Sequence, residues 1–86
     1  MSKPVEFEKE MPTEPVGRFF VANRPLITVG AEEFSIGVIL EEPYPGCFAV
    51  ELISDNGMKS SDAGLDLVFD KERLKDVLWE PASASK

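Results

Sequence analysis

The amino-acid sequence predicts a mainly β protein, a small, strongly bent antiparallel sheet or barrel of about five strands with one short helical turn. Apolar and polar residues alternate with a period of two over 34–42 and 47–53, which is typical of half-buried strands. Pro and Gly residues separate these runs and mark turns. Only 70–75 has a helical signal, and that segment is too short for a stable independent helix.

Length and composition indicate one domain between two terminal segments. The chain has 86 residues, of which 43% are hydrophobic, enough for the core of a small domain. Residues 1–15 are rich in Pro and Glu, which predicts a flexible acidic, Pro-rich arm. The alternation at Val5 and Phe7 also permits a short edge strand. We expect a β-barrel domain over 16–80 and a disordered tail over 81–86.

The first two predicted strands lie on either side of a proline. Residues 17–22 are rich in aromatic and β-branched side chains, and 25–29 form a second apolar run closed by Gly30. Proline is tolerated in sheets mainly at edges and bulges. The two runs are therefore also compatible with one strand that is bent at Pro25.

The clearest predicted strands form a hairpin. The alternation in 34–42 predicts an inward face made of Phe34, Ile36, Val38 and Leu40. The Pro and Gly residues of 43–46 then predict a turn. The second strand, 47–53, is expected to bury Phe48, Val50 and Leu52.

Three shorter elements complete the predicted domain. A third alternating strand over 64–69 is expected to bury Leu65, Leu67 and Phe69. Asp70 is a suitable cap for the helical turn over 70–75. Residues 76–80 close the domain as a last short strand, in which Trp79 is expected to cover the core rather than to bind a ligand.

The central hairpin resembles that of small SH3-like barrel domains, in particular an uncharacterised bacterial family of them. The similar segments are 35–40, 44–57 and 67–74, within a stretch of roughly residues 20–78. The chain departs from the family at Phe34, where the family has a glycine, and in the longer loop over 58–63. The resemblance implies a barrel of this type and transfers no activity.

Charge and cysteine content exclude several classes of function. The net charge is −7, which repels nucleic-acid phosphates and anionic lipids and favours basic proteins. The single cysteine, Cys47, leaves no intrachain disulfide, and 1–15 lack the apolar segment of a signal peptide. We expect a cytoplasmic protein.

An acidic block is the main functional indication. Between Pro25 and Met58 the sequence has no Lys or Arg. The carboxylates of this stretch, with the aromatic Tyr44 held between two prolines, form the predicted partner-binding set: Glu32, Glu33, Glu41, Glu42, Tyr44, Glu51 and Asp55. Tyrosines on stiff loops are frequent binding hot spots, although Tyr44 could instead fold back over the end of the barrel.

The sequence predicts no enzyme, metal site or cofactor. It contains no histidine, which removes the usual triads and most zinc sites. Cys47 has no basic neighbour to activate it as a nucleophile, and Glu41 and Glu42 should point to opposite faces of a strand. The carboxylates around Asp55 do not have the spacing of a calcium-binding EF-hand loop.

These observations favour a non-enzymatic acidic protein-binding module. The specific hypothesis is an inhibitor or immunity-type protein that masks the basic surface of a partner protein, such as a toxin or nuclease. The alternative is a structural or accessory subunit of a larger complex, with apolar residues such as Ile39 and Ile53 at its interface.

Overall fold

The computed structural model describes residues 6–81, which form one antiparallel β-sheet and contain no helix. Its strands are β1 (Phe19–Val21), β2 (Ile27–Val29), β3 (Glu32–Tyr44), β4 (Cys47–Ser54), β5 (Leu67–Asp70) and β6 (Leu78–Trp79). The order is β5-β4-β3-β1-β6, and β2 also pairs with β3. The mainly β, antiparallel class is confirmed. No pairing within 6–81 joins β5 to β6, so the sheet is open and not closed into a barrel.

The strands β1 and β2 behave as one strand with an interruption. Both pair with β3. The N–H of Ala22 donates to the carbonyl of Ser35 and the N–H of Leu26 to that of Phe34, each at 2.8 Å. The chain therefore leaves β3 after Ala22 and rejoins it one residue further along, and the residues in between include Pro25. The structure therefore has two separate strands with Pro25 in the interruption between them.

The hairpin of β3 and β4 turns at two residues. Tyr44 is in register with Cys47, and Pro45 and Gly46 connect them. Gly46 has a φ of 80°, which glycine adopts without the steric cost that a side chain would add. Strand β3 thus continues through Pro43, further than the sequence predicts, and the turn is confined to the end of the predicted segment.

Strand β3 has three register shifts against β4, and the first of them overturns its predicted inward face. Phe34 is in register with Ser54 and Ile36 with Ile53, so that β3 has one additional residue at this point. An additional residue reverses the side-chain alternation of everything that follows it. A second irregularity follows Ile39.

Beyond Phe34, the residues of β3 that were predicted to face the core lie outward, and Ile39, which was predicted to face outward, is buried. Ile39 is 1% exposed, whereas Ile36 is 41% and Leu40 is 53% exposed. Val38 is half-buried. Ile36, Val38 and Leu40 therefore lie on the outer side of the sheet, and Ile39 cannot belong to the interface expected for an accessory subunit.

The core lies on one side of the sheet. Its members are Phe20, Phe34, Ile39, Phe48, Val50, Leu52, Phe69, Leu74, Val77 and Trp79. The inward face predicted for β4 is confirmed, and in the next strand Phe69 is buried while Leu65 and Leu67 are half-buried. Trp79 belongs to the core, as expected, with its ring centroid 5.4 Å from that of Phe20.

The predicted helical turn is not formed. Residues 71–76 are a series of turns, in which the N–H of Leu74 donates to the carbonyl of Lys71 at 3.2 Å. The predicted cap is present, because Oδ1 of Asp70 accepts the Arg73 N–H at 2.9 Å. These turns bring Leu74 and Val77 into the core. The conformation of the segment is therefore fixed by the cap and by burial of these two side chains, and no helix forms.

The N-terminal segment contacts the sheet over part of the predicted arm. Glu8 forms an isolated antiparallel bridge with Trp79, with N–H to carbonyl distances of 2.8 and 2.6 Å. Met11 packs against the core and Pro15 is buried. Phe7 is exposed, Val5 lies outside the described residues, and so does the predicted tail beyond the buried Pro81. Residues within 8–15 therefore contact the sheet and the core, in the segment for which the sequence predicts a flexible arm.

Candidate functional site

The outer side of the sheet is apolar across four strands. Register places Val21, Ile36 and Ile53 in one row across β1, β3 and β4, and Phe19 beside Val38 in the next row. A third row joins Ala49 to Val68 of β5. We call this surface the outer apolar face and define it as Phe19, Val21, Ile36, Val38, Leu40, Ile53 and Val68.

Several side chains of the outer apolar face are largely exposed. Val68 is 55% and Phe19 is 42% exposed, close to the values for Ile36 and Leu40. Single exposed apolar residues are common on protein surfaces, but contiguous groups of them indicate contact with another molecule. The register of the strands makes most of this face contiguous, and it also places the half-buried Glu51 beside Val38 within it.

The seven predicted partner-binding residues divide into two groups. The first group is exposed, and its side chains make no hydrogen bond within residues 6–81: Glu33, Glu41, Tyr44 and Asp55. The remaining carboxylates accept hydrogen bonds from this same chain: Glu32, Glu42 and Glu51. The structure therefore does not bring the whole set together as one free acidic surface.

Glu51 holds the loop that follows β4. Its Oε2 accepts the Ser61 N–H at 2.7 Å and the Ser60 hydroxyl at 2.9 Å. Partial burial raises the pKa of the Glu51 carboxyl, but the hydrogen bonds from Ser61 and Ser60 and the nearby charge of Lys59 outweigh it. The pKa is consequently lowered from its ordinary value of 4.5. A carboxylate held in this way supports the fold and is a poor candidate for partner recognition.

Glu32 has a similar structural role at the opposite end of the hairpin. Its Oε1 accepts the hydroxyl of the buried Ser54 at 2.6 Å, and its carboxylate also accepts the Asn56 side chain at 3.3 Å. The Ser54 hydroxyl in turn accepts the Met58 N–H at 3.0 Å. Glu32 therefore ties the start of β3 to the turn after β4.

Tyr44 is presented at the tip of the β3–β4 hairpin. Its side chain is 71% exposed, so it does not fold back over the sheet. The Oε2 of Glu42 accepts the Gly46 N–H at 2.9 Å, which braces the turn that carries Tyr44. Pro45 adds rigidity to the same turn. Tyr44 therefore has the exposed and rigidly held position that is typical of a binding hot spot. Binding by Tyr44 stays a prediction.

The charge around the outer apolar face is mainly negative. The exposed Glu33 and Asp70 each adjoin a buried residue of their own strand and so lie on its outer side. Glu41 is also exposed and is in register with Ala49, in the row that continues to Val68. Lys59, which bridges to Ile53, adds a positive charge at this edge. A partner with an apolar centre and basic surroundings would complement this arrangement.

Of the outer apolar face, sequence reasoning named only Ile53, for an identifiable reason. A regular alternation assigns half of β3 to each side, and the bulges alter that assignment. One signal was present, because 36–40 contains four apolar side chains around a single glycine. Such a nearly continuous run is typical of a strand with apolar contacts on both faces.

Residues 6–81 have few other features that could carry chemistry. Cys47 is a half-buried free thiol next to Asp70 in the register of β4 and β5. No group of three or more potential ligands is placed to hold a metal ion in this part of the chain. The same residues include no helix long and apolar enough to cross a membrane. Comparison with protein-family models, curated proteins and solved structures finds no significant match.

Proposed function

We propose that this chain is a non-enzymatic protein-binding module that uses the outer apolar face and the Tyr44 tip to bind a basic partner protein. The observation that carries the proposal is the exposed apolar surface across β1, β3, β4 and β5. Burial of such a surface supplies most of the affinity in protein interfaces, and exposed aromatic residues often act as anchors.

The charge supports a basic partner. Glu33, Glu41 and Asp70 surround an apolar centre, and the whole chain has a net charge of −7. Complementary charges mainly increase the rate of association, whereas the apolar centre slows dissociation. The proposed role is that of an inhibitor or immunity-type protein in the cytoplasm, which covers the basic surface of a toxin or nuclease.

The proposed relationship is to small SH3-like domains, as the resemblance over roughly residues 20–78 suggests, in a form whose sheet stays open. Two features support it. The first and last strands in chain order, β1 and β6, lie side by side in the sheet. The bulges in β3 also increase the twist of this strand, which is the longest in the sheet.

The test begins with the partner. The tagged full chain is purified from its natural source, co-purifying proteins are identified, and binding of the recombinant partner is measured by surface plasmon resonance. Replacement of Leu40 and Val68 by Ser should increase the dissociation rate at least tenfold, which corresponds to about 1.4 kcal/mol. Charge reversal of Glu33 and Glu41 to Lys should slow association at low salt. The matched control is Asp62→Lys, an exposed carboxylate in the loop after β4.

Salt dependence separates the proposal from its alternative. An inhibitor guided by charge should lose association rate steeply as salt rises. A structural or accessory subunit that binds through Ile53 and the rest of the outer apolar face should show little salt dependence, with the Leu40 and Val68 variants still defective. Unchanged binding by both pairs of variants would contradict the use of this surface altogether.

A further inference from the structure

A second surface, separate from the outer apolar face, gathers positive charge in this acidic chain. A cavity of about 810 Å³ lies between the connection after β1 and the segment that leads into β6. Among residues 6–81, one carboxylate, that of Asp76, and four cations line it: Lys9, Arg24, Arg73 and Lys75. We call it the basic cavity. In a chain with 16 acidic and 9 basic residues, this local excess of cations reflects the fold and not the composition.

Arg73 is held in a fixed position at this cavity. Its Nη2 donates to the carbonyl of Leu26, and its Cζ lies 5.0 Å from the centroid of the Phe69 ring. Its own backbone N–H is capped by Asp70. A guanidinium has five N–H donors in a planar fork, so those that Leu26 does not use remain able to bind an anion without further loss of conformational freedom.

The other cations differ in how available their charge is. Lys75 forms an ion pair with Glu72 at 2.6 Å, which offsets part of its charge. Arg24 is exposed on the opposite wall, in the interruption between β1 and β2, and Lys9 follows the bridge residue Glu8. Arg73, Arg24 and Lys9 are therefore the main cations of the basic cavity.

The size and walls of the basic cavity fit a small organic ligand. Ligand-binding clefts commonly have volumes of about 300–1,000 Å³ and combine apolar walls with a few polar groups. Here Leu26, Val77 and Leu78 contribute apolar walls. A nucleic acid needs an extended track of cations, and the net charge of −7 would repel a long polyanion outside the cavity.

We propose that the basic cavity binds a small organic anion, a phosphate or carboxylate group on an apolar body. The anionic group binds Arg73, Arg24 and Lys9, and the apolar body contacts Leu26 and Val77. The site does not depend on the proposed partner protein, because none of its lining residues belongs to the outer apolar face.

Nuclear magnetic resonance titration of the full chain tests the site with three probes: phenyl phosphate, inorganic phosphate and phenol. We expect phenyl phosphate to cause saturable shifts of the backbone amides in 22–26 and 73–78. Inorganic phosphate should bind at least tenfold more weakly, and phenol should leave these amides unchanged. A fourth probe, phenylacetate (the anion of phenylacetic acid), carries a carboxylate in place of the phosphate and distinguishes the two anionic groups, and binding of either one supports the proposal.

Variants test the assigned cations. Replacement of Arg24 and Lys9 by Gln should lower the affinity for phenyl phosphate at least tenfold. The control, Lys59→Gln beyond the end of β4, should leave this affinity unchanged. Arg24 and Lys9 are exposed, so the double variant is expected to fold, and its amide spectrum checks this directly. No saturable shift with either organic anion, or shifts that persist unchanged in the double variant, would overturn the proposal. Tighter binding of a single-stranded oligonucleotide than of phenyl phosphate would also overturn it.

Discussion

Gly37 and Phe20 face each other across the β1–β3 pairing so closely that a β-carbon on Gly37 would lie 2.6 Å from Cζ of the phenylalanine ring. Cδ2 of Leu52, on the opposite neighbouring strand, would be equally close. The absence of a side chain at Gly37 allows Phe20 and Leu52 to meet over the middle of β3. Both of these side chains are fully buried, so the glycine is required by packing at the centre of the core.

Replacement of Gly37 by Ala should therefore destabilise the protein. Overpacking a core commonly costs about 1–3 kcal/mol, and the neighbours here are a large ring and a branched side chain in a packed core. Urea denaturation measures the change. Ser35→Ala, in the same strand but only half-buried, is the control. A Gly37→Ala protein as stable as the wild type would show that Phe20 can move aside without cost.

Because Ile39 of β3 is buried and Ile36 is largely exposed, their replacement should have different effects on the free energy of unfolding. Ile39→Ala should cost about 2–5 kcal/mol, because it leaves a cavity in the core. Ile36→Ala should cost about 1 kcal/mol or less, because its side chain is largely exposed before the change. Val50→Ala, on the buried face of β4, should resemble Ile39→Ala. Equal losses at positions 36 and 39 in thermal denaturation would contradict the bulge that separates their phases.

The bridge between Glu8 and Trp79 should make the N-terminal segment contribute to stability. Glu8→Pro removes the N–H that donates to Trp79 and should cost about 1 kcal/mol. Glu8→Ala, which keeps that N–H, is the matched control. Deletion of residues 1–15 should lower the melting temperature further, since it also removes Met11 and Pro15. A truncated protein with the same melting temperature as the full chain would contradict this contribution of the N-terminal segment.

Glu51 should make stability depend on pH. Its pKa in the folded protein lies below the ordinary value of 4.5, so the folded state favours the charged carboxylate. The stability it contributes is present above pH 4.5 and is lost as the pH falls through the lower folded value. Glu51→Gln should therefore be less stable than the wild type at pH 7, and this difference should shrink in acid. Denaturation midpoints at several pH values measure it.

The control for Glu51 is Glu33→Gln, which makes the same change in charge on an exposed side chain of β3. It should leave the stability at pH 7 within about 0.5 kcal/mol of the wild type. If both variants show the same dependence on pH, the hydrogen bonds from Ser60 and Ser61 have no special part in it.

The sequence by itself determined the features that depend on neighbouring residues. The alternation of β4, the turn at Pro45 and Gly46, the interruption that contains Pro25 and the cap at Asp70 are all present in the structure. Each depends on the period of a single strand, on the fixed φ of proline, or on a side chain that reaches three residues along the chain. Interactions of this range are encoded in the segment that makes them.

The tertiary structure alone decided which side of β3 is buried and which carboxylates are free. The bulges exist only in the register between β3 and β4, so the isolated alternation of 34–42 could not show that Ile39 replaces Ile36 in the core. Glu51 is engaged by a loop that folds back on β4. The basic cavity assembles cations from distant parts of the chain, Lys9, Arg24 and Arg73. Contacts between segments far apart in sequence leave no periodic pattern in either one, and they exist only once the sheet has formed.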